Sequence, residues 1–135
     1  MWAGGTGVWL ARRGMDVWGY DVSPVAIAQA TELAKATGLA ARCHFHVVDL
    51  DDGLPAGTPA DMLVCNRFRD PRLDQAIMGR LAVGGLLAIS ALSEVGAGPG
   101  PFRVKAGELR QAFGALEVIA ADEAHGEAWL LARRR

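Results

Sequence analysis

The sequence has no excess of either charge: Lys+Arg 14 against Asp+Glu 15 leave a formal net charge of −1. That balance gives no reason to expect a nucleic acid or another polyanion as partner. A long hydrophobic run is also missing. Nothing approaches the ~20 apolar residues of a membrane span, and the first residues hold no basic segment followed by an apolar one. No membrane partner and a cytoplasmic location are therefore expected. Cysteine is scarce, with only Cys43 and Cys65, both inside predicted strands. Free buried thiols in a reducing compartment fit that placement better than a disulfide. Repeats, linkers and low-complexity tracts are absent as well. The 135 residues, 51% of them hydrophobic, point to one globular domain spanning 1–135, large enough for a real core.

What is present centres on Gly4 to Asp21. Gly-Gly-Thr-Gly reads as a glycine loop, followed by a short helix from about Thr6 to Arg13 that Gly14 ends. Glycines let a backbone approach a ligand and take positive φ, and a helix amino terminus favours anionic groups. Met15 to Tyr20 form a strand, and Asp21 stands at its carboxyl end, where a carboxylate in an open α/β sheet can accept hydrogen bonds from ribose hydroxyls. The reading is the nucleoside-binding half of a doubly wound fold. Met1 to Ala3 supply at most the last residues of a preceding strand.

Downstream, Ser23 caps and Pro24 starts an alanine-rich helix to about Thr37, with Ile27, Ala30 and Ala34 on its buried face. Cys43 to Leu50 make a strand passing Asp49, and a polar connection leads to the strand Met62 to Cys65. Asn66 and Arg67 follow that strand's end. Asp70 and Pro71 begin a helix with Leu73, Ala76, Ile77 and Leu81 on one stripe. Gly84-Gly85 turns the chain into the strand Leu86 to Leu92, and Gly96 to Pro101 reads as a mobile loop. A short helix around Gly107 to Phe113 precedes strands at Leu116–Ala120 and Ala128–Ala132, too close in sequence for a parallel crossover and so an antiparallel hairpin. The three last arginines read as a solvated tail. Alternation of strand and helix predicts an α/β fold, a doubly wound, mostly parallel sheet closed by that hairpin, with its first strand largely missing.

In order and spacing, several segments together resemble the class I S-adenosylmethionine-dependent methyltransferases. Gly-Gly-Thr-Gly with Trp-Leu-Ala-Arg-Arg-Gly is similar to that family's first motif, and Tyr-Asp-Val-Ser-Pro-Val-Ala-Ile to its second. Val-Val-Asp-Leu resembles the third, Asp-Met-Leu-Val-Cys-Asn-Arg-Phe the fourth strand, and Leu-Ala-Val-Gly-Gly-Leu-Leu-Ala-Ile the fifth. Asn66-Arg67-Phe68 and Gly107-Glu108-Leu109 are most similar to small bacterial tellurite-resistance-type methyltransferases. The resemblance implies S-adenosylmethionine as cofactor and S-adenosylhomocysteine as product. It also implies a cofactor cradle of Gly4, Gly5, Gly7, Asp21, Val22, Asp49, Leu50, Asn66 and Arg67. Asp21 would hold the ribose and Asp49 would face the adenine amino group, with Asp51 and Asp52 competing for that second role. Met1 and Ala3 stand where the family carries an acid and a glycine, so a truncated amino terminus is expected. The absent strand would lie mid-sheet and leave two open edges, so either an upstream segment is missing, or the sheet rearranges, or another subunit fills the gap in a homodimer.

Methyl transfer from a sulfonium is an in-line displacement in which the protein mainly supplies proximity and orientation, so no catalytic acid or base is assigned. The acceptor is expected to be a small molecule. His44 and His46 share one strand face beside Cys43, but no third ligand has metal-site spacing, so packing or a surface role is the reading and no metal is expected. Trp9 and Trp18 read as core. Arg67, Arg69 and Arg72 form a basic group suited either to an acceptor carboxylate or to a solvated helix start. Two alternatives stay open: a relative that kept the fold but lost turnover, and a nicotinamide-dependent oxidoreductase. Against the latter, there is neither a clear Gly-x-Gly-x-x-Gly nor a Tyr-x-x-x-Lys pair.

Overall fold

The structure, a computed structural model, describes residues 5–135. Backbone contacts gather into two compact units, 1–55 and 56–135.

In the first unit, α1 (Gly5–Arg12), β1 (Val17–Asp21), α2 (Pro24–Ala36) and β2 (Cys43–Val47) follow one another. The crossover through α2 makes β1 and β2 parallel neighbours, paired from Val17↔Cys43 to Asp21↔Val47. Ser23 caps α2 by accepting from the Ala26 N–H at 3.2 Å, and Pro24 needs no partner at the first helical position. Ala26, Ile27, Ala30 and Ala34 are buried, so the small-residue face allows α2 to lie close against the pair of strands. Helix α1 starts at Gly5 rather than at Thr6, and Gly7 is buried within it. Neither Gly5 nor Gly7 is among the glycines with positive φ, and both lie in the first turn of the helix.

In the second unit, β3 (Ala60–Cys65) is followed by a 3-10 turn at Pro71–Leu73, α3 (Asp74–Arg80), β4 (Leu81–Leu92), α4 (Glu108–Ala112), β5 (Glu117–Ala124) and β6 (Glu127–Arg133). The sheet order is β3-β4-β6-β5, with β3–β4 parallel and the other two pairings antiparallel. The α/β class and the closing hairpin match the sequence expectation. The parallel strands, however, form two separate sheets among the described residues rather than one. Alternation decides the core: Leu87, Ile89 and Ala91 of β4 and Ala128, Leu130 and Ala132 of β6 are buried, with Leu73, Ile77, Leu81, Leu109 and Phe113 also inside. Their neighbours Ala88, Ser90 and Leu92 share the opposite face with Trp129, which is 45% exposed.

Several boundaries differ from the sequence reading. Strand β4 begins at Leu81, because Gly84 at φ 80 lets the chain bend without leaving the sheet. The hairpin strands run longer than expected and meet in a two-residue turn, His125 at φ 54 and Gly126 at φ 81, the type I′ geometry whose twist suits a tight hairpin. Arg134 is no solvated tail: its backbone pairs with Gly84 and Gly85, and its guanidinium donates to the Leu81 carbonyl. The segment at 96–101 is anchored at its base. Ser93 donates to the Gly126 carbonyl, Gly126 to Val95, and Glu94 to Val104, while Arg103 donates to the carbonyls of Ser93 and Gly126.

Candidate functional site

Within the first unit, the carboxyl ends of the two parallel strands carry the two acids singled out from sequence. Asp21 is the last residue of β1. Its Oδ1 accepts the Ser23 N–H at 2.9 Å and its carbonyl accepts from Val48 at 2.9 Å, so an Asx turn fixes both the carboxylate and the start of α2. Val22 lies between these anchors and is exposed. Asp49 sits two residues beyond the Val47 partner of Asp21, about 7 Å further along an extended chain. Its Oδ1 accepts the Asp51 N–H at 2.9 Å, capping the 3-10 turn Leu50–Asp52. Asp21, Val22, Asp49 and Leu50 thus gather at one end of this sheet. Gly5 and Gly7 lie in the same unit, in the first turn of α1; Gly4 lies outside the described residues.

On this unit's sheet, Trp18 stacks on His44 with ring centroids 4.6 Å apart, and Tyr20 lies over His46 at 6.2 Å. The two histidines therefore pair with aromatic neighbours directly across the strands. Trp9 and Trp18 are not core residues, each being 54% exposed. Arg13 covers the Trp9 ring at 3.4 Å, a cation–π contact that explains how an exposed indole is accommodated.

In the second unit, Asn66 and Arg67 follow the end of β3. Arg67 has φ 51, one of two positive values among described non-glycine residues, the other being His125 in the hairpin turn. A non-glycine residue in this region costs about 1–2 kcal/mol and persists where its surroundings hold it. What holds it is Ser90 on β4: its Oγ accepts the Arg67 N–H at 2.9 Å and donates to Asn66 Oδ1 at 3.3 Å, while its carbonyl accepts from Phe68 at 3.1 Å. The Arg67 guanidinium reaches Glu127 Oε1 at 2.6 Å, at the start of β6.

The other two arginines of the basic group are engaged structurally. Arg69, only 8% exposed, donates to both oxygens of Asp74 and, at 2.9 Å, to Glu108 Oε2, with its guanidinium 5.7 Å from the Phe113 ring centre. Burial alone would lower its affinity for the proton, but the hydrogen bonds and charges of Asp74 and Glu108 outweigh that and raise its pKa. Arg72 donates to Asp70, and this bond holds the Asp70 carboxyl below the usual carboxylate range. Burial pushes the nearby Cys65 thiol up to about 12, with Arg69 opposing and Asp74 adding to the shift. A shallow cavity of about 340 Å³ lies beside α4 and β5, lined by Leu109, Arg110, Asp122, Glu123 and Trp129 among others. Neither Ser90, Glu127 nor Trp129 was singled out from sequence. Ser90 carried a signal, as the one polar residue in an otherwise apolar strand.

Residues 3–83 match the sequence profile of a family described as a methyltransferase domain, well over half of the chain. The chain belongs to that family. Among solved structures, TehB from Haemophilus influenzae superposes with a TM-score of 0.81 at 21% identity, covering 95% of this chain and 53% of TehB. The [4+2]-cyclase SpnF gives 0.81 at 19% identity, covering 98% of this chain and 71% of SpnF. The N-methyltransferase NodS from Bradyrhizobium japonicum WM9, in complex with S-adenosyl-L-homocysteine, gives 0.72 at 18%, covering 98% and 73%. The fold is thus that of the class I S-adenosylmethionine-dependent methyltransferases, and the chain spans about half the length of TehB. No curated protein matches by sequence. Among the described residues, no helix is long and apolar enough to cross a membrane.

Proposed function

We propose that this chain binds S-adenosylmethionine and directs its methyl group to a small-molecule acceptor. The observation that carries the reading is the pair of acids at the carboxyl ends of β1 and β2, in a member of the methyltransferase-domain family. Asp21, oriented by its bond from Ser23, is suited to accept hydrogen bonds from two vicinal hydroxyls, the arrangement a ribose presents. Asp49 or its neighbours in the 3-10 turn suit an exocyclic amino group, which donates to carboxylate. When bound, the cofactor supplies an already activated methyl on a sulfonium. The chain's part is therefore to hold and orient, a contribution worth several kcal/mol where the reacting atoms are kept in line. Asn66 and Arg67 are assigned to the cofactor by resemblance to the family's fourth strand alone, through their backbone, which leaves the Asn66 side chain for the acceptor. The free thiols Cys43 and Cys65 support a reducing, cytoplasmic setting.

The test is thermal stabilisation by S-adenosylhomocysteine, S-adenosylmethionine and NADH in parallel. Ligand at a hundredfold excess over Kd stabilises by about 2.7 kcal/mol. The first two are expected to raise Tm and NADH to leave it unchanged. Asp21→Ala should abolish most of the gain. Unchanged affinity in that variant refutes the ribose assignment. A second reading, a relative that kept the fold and lost cofactor turnover, draws support from the equal similarity to a cyclase, in which the same fold serves another reaction. It predicts no stabilisation by any of the three ligands.

A further inference from the structure

We propose that Ser90 is a positioning residue that turns the Asn66 amide outward, and that Asn66 with Trp129 forms a subsite for an aromatic acceptor bearing a carboxylate or carbonyl oxygen. The proposal rests on the methyl-transfer reading for its functional meaning, but its geometry lies wholly within the second unit.

The argument begins with the hydroxyl. Ser90 Oγ accepts the Arg67 N–H, and its own proton goes to Asn66 Oδ1. Were the amide reversed, Ser90 would receive two donors and its proton would have no protein acceptor. The amide oxygen is thus engaged by Ser90. Its NH2 has no intramolecular partner among the described residues and offers donors to a ligand. A site that presents donors selects an oxygen, and disfavours an amine whose own N–H groups need an acceptor.

The surroundings select the rest of the ligand. Trp129 stands directly across from Ser90 in the β4–β6 register, on the same sheet face, and is 45% exposed. Directly opposed side chains lie within about 5 Å, so its indole can stack with a ring whose oxygen reaches the Asn66 amide. Charge sets the polarity along this row. Arg67 lies at the Asn66 end, balanced by Glu127, whereas Asp122 lies across Trp129 on the far side. Around Trp129, Asp122 and Glu123 outnumber Arg110, so an anionic or carbonyl group is better placed on the Ser90 side. The left-handed backbone at Arg67, held by the same hydroxyl, is the strain expected where a turn is fixed for a ligand.

The test uses the full chain, 15N-labelled, with benzoate and benzylamine as probes. Benzoate should shift the Asn66 side-chain NH2 and the Trp129 indole N–H saturably; benzylamine should not. Ser90→Ala should bind benzoate about fivefold more weakly, the loss of one oriented hydrogen bond, and Ser90→Thr should restore it. Asn66→Asp, an acceptor of the same shape, should lose benzoate and gain benzylamine. An Asn66 amide unmoved by benzoate, or benzoate affinity unchanged in Ser90→Ala, overturns the proposal. Binding of S-adenosylhomocysteine, read separately, decides the cofactor assignment: its failure leaves the benzoate result standing, and the reverse also holds.

Discussion

Replacing Arg69 by Met should destabilise the chain through the charges it leaves behind. The guanidinium is 8% exposed and joins two carboxylates, Asp74 at 16% and Glu108 at 30% exposure. Breaking a buried pair by removing one partner costs about 3–5 kcal/mol, because the charge left behind has lost both water and its counter-ion. Glu108 is exposed enough to turn towards solvent, so the lower end applies, about 3 kcal/mol. For a chain of this size that corresponds to a fall in Tm of about 10 °C. Urea unfolding followed by circular dichroism measures it as a lower midpoint. Met fills most of the volume and keeps contact with Phe113, so the penalty is chiefly electrostatic. Adding Asp74→Asn and Glu108→Gln to Arg69→Met should therefore recover at least half of the loss. A single variant within 1 kcal/mol of the parent, or a triple variant as unstable as the single, refutes the reasoning.

Two further outcomes are expected. At pH 8 a thiol titrating at about 12 is thiolate for about one part in ten thousand, so Cys65 should resist a thiol reagent in the native state while Cys43 reacts first. The native state keeps its Cys65 proton to higher pH than the unfolded chain, whose thiols titrate near 8.5, so stability should fall from about pH 8.5 upwards, by up to about 1.4 kcal/mol per unit; equal labelling of both cysteines contradicts the burial argument. Gly96→Ala places a Cβ 2.8 Å from the His125 nitrogen at φ 80, whereas Gly98→Ala, at φ 88, meets open space. The first should cost about 2–3 kcal/mol and the second about 1 kcal/mol, and thermal melts that reverse this order refute the anchoring of the 93–104 segment.

How much was readable beforehand follows from which physical signal each feature leaves in the chain. Helix α2 was legible because its cap, its proline and its small-residue face recur at helical spacing, and all three are local. Asp21 and Asp49 were legible because parallel strands joined by a crossover bring their carboxyl ends to the same edge, whatever the loops do. The hairpin was foreseen, but its strands were drawn too short. Asp122 and Glu123 look like a polar connection when read along the chain, yet they belong to a strand that edges its sheet, where one side faces water. The reading of Trp9 and Trp18 failed because hydrophobicity argues for burial, while Arg13 one helical turn from Trp9 and His44 across the strands from Trp18 supply exposed partners.

The basic group shows why the acceptor side was the least legible part. Arg67, Arg69 and Arg72 are alike in sequence, but their partners lie far away along the chain or on the far side of a turn. Asp70 takes Arg72, Asp74 and Glu108 take Arg69, and Glu127 takes Arg67. Only after those assignments does one position differ from the others: Arg67 is the arginine of the three with a left-handed backbone. The residue that fixes it, Ser90, sits in a strand where a hydroxyl reads as a minor interruption of an apolar run. Its importance comes from the β3–β4 and β4–β6 registers together, which bring Asn66, Ser90 and Trp129 to one face. A one-residue slip in either pairing would send Ser90 into the core and leave the Arg67 amide without its acceptor. Specificity at this end of the sheet is thus a property of register, whereas the acids at the ends of β1 and β2 depend only on chain order.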